Sequence, residues 1–75
     1  MNNDRRKNLK KAVKMINEAR DIVDDVMNEE QMAFDNLPEG LQEAERGIEM
    51  EDNVSELESI TSDIDEIVER IEEFY

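Results

Sequence analysis

A chain of 75 residues with a formal net charge of −13, no cysteine and no histidine is one small domain without disulfides, thiolate metal sites or the usual general base near neutral pH. A conventional enzyme is not expected, and no catalytic, cofactor-binding or metal-binding residue is assigned. The negative charge repels nucleic acid and anionic membranes at long range, so a partner guided by charge should be a basic protein.

The first eight residues, Met1 to Asn8, are polar, and their start is expected to fray. No apolar run of about 18 residues follows. The expectation is a soluble protein of the cytoplasm.

From Leu9 onward, Leu9, Ala12, Ile16, Ala19, Val23, Val26, Ala33 and Leu37 recur at heptad spacing, with Glu30 the polar intruder. This predicts a long amphipathic helix over about 5–34. Val13, Met15, Ile22, Met27 and Phe34 flank the stripe and widen it beyond what one antiparallel neighbour would cover. A core shared between two copies and a loosely packed, Met-rich monomer both fit that pattern.

The run Asp35-Asn36-Leu37-Pro38-Glu39-Gly40 ends the first helix, because proline disfavours helix in the residue before it. Asn36 followed by Glu39 has the spacing of a capping box. A short helix follows near residues 38–45, and Gly47 is the expected place for a break.

The second long helix is predicted over about 48–74, with Leu57, Ile60, Ile64, Ile67, Ile71 and Phe74 as its stripe. Residues 1–20 hold seven Lys/Arg against Asp4 and Glu18, whereas residues 21–75 hold Arg46 and Arg70 against twenty acids. Antiparallel pairing would set Arg5, Arg6, Lys10, Lys11 and Lys14 against Glu66, Glu69, Glu72 and Glu73 and offset the unfavourable dipole of each helix end. The fold class is therefore all-α. It is one domain over residues 1–75, an antiparallel two-helix hairpin with a short helical connector over 35–47, expected to dimerise into a four-helix bundle.

Three readings of the surface follow. Asp21, Asp24, Asp25 and Glu29, and separately Asp63, Asp65 and Glu66, have the oxygen chemistry of a hard-cation site. Neither cluster carries an EF-hand glycine loop, and solvated acidic faces are the simpler account. Rows of carboxylates on a rigid rod could instead mimic the phosphates of a duplex and occupy a basic DNA-binding cleft. The connector is longer than a hairpin needs. Phe34, Leu37, Pro38, Leu41 and Arg46 are its candidate partner-binding residues, either as a contact surface or as a plug over the hairpin end.

The stretch from Asn28 to Gly47, with its Glu29-Glu30-Gln31, Asn36-Leu37-Pro38-Glu39 and Glu45-Arg46-Gly47 runs, resembles small acidic helical proteins of tailed phages and prophages. The resemblance implies a phage origin, a bacterial host cytoplasm and a host or phage protein as partner. It implies no activity. Ile48 departs from that pattern, where those proteins often carry a polar residue.

Overall fold

The computed structural model describes all of residues 1–75. It contains α1 (Asn3–Asp35), α2 (Glu39–Gln42) and α3 (Glu45–Glu72), with no strand. Helices α1 and α3 fold back on each other into a rod of 59 × 15 × 11 Å with a radius of gyration of 17.2 Å. A compact globule of this length would have a radius near 11 Å. The chain is a hairpin, with one helix-on-helix seam as its core.

Helix α1 is capped at its start, since the Asn2 Oδ1 accepts from the Arg5 N–H at 2.9 Å and Asp4 lies in the positive first turn. The polar N-terminus read as frayed is thus tied down by a local signal. At the other end the Asn36 N–H donates to Met32 O and the Leu37 N–H to Phe34 O, both at 3.0 Å. Asn36 closes α1 and caps nothing downstream. The capping box does not form, because Pro38 occupies the N-cap of α2 without a side-chain hydrogen bond.

The single turn of α2 is held by Leu41 N–H to Pro38 O at 2.8 Å. Gln42 then folds back, its side-chain amide donating to Phe34 O and Leu37 O at 3.3 Å each. These bonds tie the connector back onto the end of α1, adding a second donor at Phe34 O and one at Leu37 O. The chain breaks at Ala44, which is extended at φ −79° and ψ 169°, and α3 starts at Glu45 rather than 48. Gly47 is no hinge. It is buried in the first turn of α3, where an added Cβ would run into the backbone of Gln42, so its role is to let two backbones touch.

The seam differs from the stripe the spacing suggests. On α1 the a/d series of half-buried and buried positions runs Leu9, Val13, Ile16, Arg20, Val23, Met27, Glu30 and Phe34, with Arg6, Ala12 and Asp24 half-buried beside it. On α3 it runs Gly47, Met50, Val54, Leu57, Thr61, Ile64, Val68 and Ile71, with Ile60 half-buried beside it. Both series alternate three and four residues, the a/d pattern of a coiled coil. Val13, Met27 and Phe34, read as flanking, lie in the seam. Ala19, Val26 and Ala33 lie outside it, as do Ile67 and Phe74. The physical reason is that a wide apolar stripe contains two overlapping a/d series, and only packing selects one. No helix is long and apolar enough to cross a membrane.

Candidate functional site

Two charged side chains occupy seam positions, and each finds one partner across the hairpin. Arg20 Nε and Nη2 donate to the two oxygens of Asp65 at 3.0 and 3.2 Å. The hydrogen bond to Asp65, and then the attraction of that carboxylate, raise the guanidinium pKa above its ordinary range. Nearer the connector, Asn53 Nδ2 donates to Glu30 Oε2 at 2.8 Å. Glu30 is thereby a half-buried pin between helices, satisfied by an amide.

The end pairing of charges predicted from sequence does not form as ion pairs. Arg20–Asp65 is the cross-hairpin salt bridge within 4 Å, and Arg20 also lies 3.9 Å from Asp21 on its own helix. At the open end Arg6 Nε donates to Phe74 O at 3.3 Å, and the Lys10 ammonium stands 5.3 Å above the Tyr75 ring. The lysines and glutamates there are long, exposed and solvated, and flexible side chains in water gain little from fixing one geometry.

The two long faces of the rod are unlike. Coiled-coil geometry puts Asn17, Asp24 and Gln31 of α1 on one side with Glu51, Glu58 and Asp65 of α3, an entirely polar edge. The opposite side carries Ala12, Ala19 and Val26 from α1 beside Asn53, Ile60 and Ile67 from α3, with Phe74 beyond them. That Val26 and Asn53 share a face is direct: both line a groove of about 380 Å³ with Glu29, Glu30, Glu56 and Leu57. Next to this row, Met15 and Ile22 are 61% and 64% exposed, and Phe74 is 55% exposed. The hairpin covers little of its own apolar surface. Val13 and Val68 are its buried hydrophobic residues, each still 7% exposed.

The connector residues chosen from sequence separate into two groups. Phe34 and Leu37 are half-buried, closing the end of the seam under the Gln42 amide. Pro38, Leu41 and Arg46 face solvent, Leu41 at 50% exposure. The tip is therefore a plug on its inner side and an open surface on its outer side. The acidic clusters around Asp21–Glu29 and Asp63–Glu66 do not converge, and no three acidic side chains stand close enough to hold a metal ion. Arg20, which the spacing argument passed over for Ala19, is the site residue that sequence reasoning missed. The signal lay in the alternate a/d series, where Arg20 and Glu30 are the charged members.

Helices, seam and faces together define an antiparallel helical hairpin with one polar edge and one uncovered apolar edge. No family model, curated protein or solved structure matches the chain.

Proposed function

We propose that the protein is a non-enzymatic acidic interaction module of phage or prophage origin. In this reading it acts in the host cytoplasm, pairs with itself into a four-helix bundle, and binds a basic host or phage protein. The observation that carries the reading is the separation of charge along the rod. Residues 1–20 and 60–75, which form the open half, hold eight of the nine basic residues and eight of the 22 acidic ones, a balance of zero. The connector half, residues 21–59, holds Arg46 against the remaining fourteen acids. All of the net charge sits at one end of the rod, around a tip where Leu41 and Pro38 face solvent. An acidic rim around a small apolar knob suits a basic surface with an apolar pocket. The likeness of Asn28–Gly47 to acidic phage proteins supports the origin.

Duplex mimicry is the rival reading, favoured by twelve acids on two neighbouring rods. It asks for carboxylate rows along the binding length, and the neutral open half leaves only the connector half for that purpose.

The test is capture from a bacterial host lysate on immobilised protein, comparing wild type with Leu41→Gln at low and high ionic strength. A specific basic partner retained by wild type, weakened by salt and lost with Leu41→Gln is expected. Equal capture by both would remove the connector tip from the reading, and capture indifferent to salt would remove the acidic surface.

A further inference from the structure

We infer that the uncovered apolar edge of the hairpin is the seat of a second copy of this chain, laid antiparallel so that each connector lies beside the other copy's open end. The inference rests on the self-association proposed above and specifies its face and direction.

Three observations converge on it. The apolar edge is centred on the rod: Ala12, Met15, Ile22 and Val26 are spread evenly about Ala19, the midpoint of α1. The small residues Ala12 and Ala19 permit close approach, and Met15 and Ile22 stand out on either side of Ala19. A two-fold axis passing near Ala19, across the rod, therefore superposes the edge on itself with the two rods overlapping over nearly their whole length. In projection the face measures 59 × 15 Å, which offers on the order of 800 Å² per copy, the size of a standard stable interface.

Charge chooses the direction. Rods lying the same way would place two connector halves together, fourteen acids and one arginine on each. Opposed rods place each acidic half against a neutral half that carries the basic residues, so like-charge repulsion gives way to attraction.

The surface shape agrees. Arg20 faces Asp65 and Glu30 faces Asn53, which puts Phe74 level with Lys10. The two-fold carries Phe74 to the level of Asn28, where the other copy has its groove between Val26, Glu30, Asn53 and Leu57. An exposed aromatic ring thus meets a groove with room for it, and Arg70, beside Phe74, comes toward Glu56 on the groove's rim. The opposed arrangement leaves one connector tip free at each end of the assembly.

The experiment combines sedimentation equilibrium with a distance measurement between spin labels at Gly40→Cys. The chain has no cysteine of its own, and Gly40 has open space around it. A dimer with labels separated by about the length of α1, on the order of 50 Å, is expected. A dimer with labels about 10–20 Å apart, the spacing of neighbouring helices in a bundle, would overturn the direction while leaving self-association standing. A monomer would overturn both and leave the edge to a different partner. Ile22→Glu, a change at an exposed position, should give a helical monomer; persistence of the dimer in that variant would move the interface off this face.

Discussion

The guanidinium of Arg20 lies side by side with the carboxylate of Asp65, two hydrogen bonds of 3.0 and 3.2 Å bridging α1 and α3 at the middle of the rod. Arg20 holds a seam position where an aliphatic residue would ordinarily sit, and its planar fork matches the carboxylate in a way a lysine cannot. The pair specifies register, because a slip of either helix leaves a charge in the seam without its partner. Arg20→Lys is expected to lower the melting temperature. A double-mutant cycle with Arg20→Met and Asp65→Asn should show favourable coupling at low salt that shrinks as salt is added. Zero coupling at low salt would remove the pair from the account of register.

Neighbouring residues on α3 have opposite roles. Val68 is 7% exposed in the seam, whereas Ile67 is 46% exposed on the apolar edge. A carboxylate at 68 would be desolvated without a partner, which costs more than about 3 kcal/mol and exceeds what a thin two-helix core can absorb. Val68→Asp should abolish the cooperative thermal transition seen by circular dichroism. Ile67→Asp should keep a helical hairpin that melts cooperatively; its loss would show that the seam is misplaced by one position.

Gly47 is where α3 touches the backbone of Gln42. Any side chain there meets the Gln42 carbonyl, carbon and Cα within 2.7 Å, and backbone cannot swing aside as a side-chain tip can. Gly47→Ala is expected to destabilise by about 1–3 kcal/mol, the usual range for overpacking, despite the higher helix propensity of alanine. A neutral or stabilising result in urea denaturation would refute the close approach. Gly40→Ala, into open space, is the matched control.

Tyr75 provides the pH test. Partial burial, and then the nearby Glu72 carboxylate, raise its phenol above the ordinary 10.0. The folded chain favours the neutral ring, so the stability this group contributes is complete below pH 10.0 and is lost as pH rises through the higher folded midpoint. Tyr75 is the only tyrosine and there is no tryptophan, so tyrosinate absorbance reports this group alone. The midpoint should lie above 10.0 in the folded protein and return toward it in denaturant. Tyr75→Phe should flatten the alkaline fall in melting temperature; an unchanged fall would show that Tyr75 is not its cause.

Much of the architecture was legible in the residues. Heptad spacing on both sides of Pro38 specifies two long helices, and proline with the turn residues around it specifies that they turn back. Asn2 was an available cap signal, overlooked because the polar residues around it read as a loose end. Gly47 read as a hinge because glycine serves both for unusual backbone angles and for close contact. Only the neighbouring Gln42 backbone distinguishes the two.

The sequence by itself determined that the chain is helical, amphipathic and polarised in charge, since periodicity and charge order are properties of the covalent chain. Tertiary structure alone decided which of two overlapping apolar series became the seam, because both satisfy the same spacing and only interhelical packing separates them. That choice put Val13, Val68 and Arg20 in the seam, with Asp65 reaching Arg20 from the polar edge. It left Met15, Ile22, Ile67 and Phe74 on an edge that the hairpin does not cover.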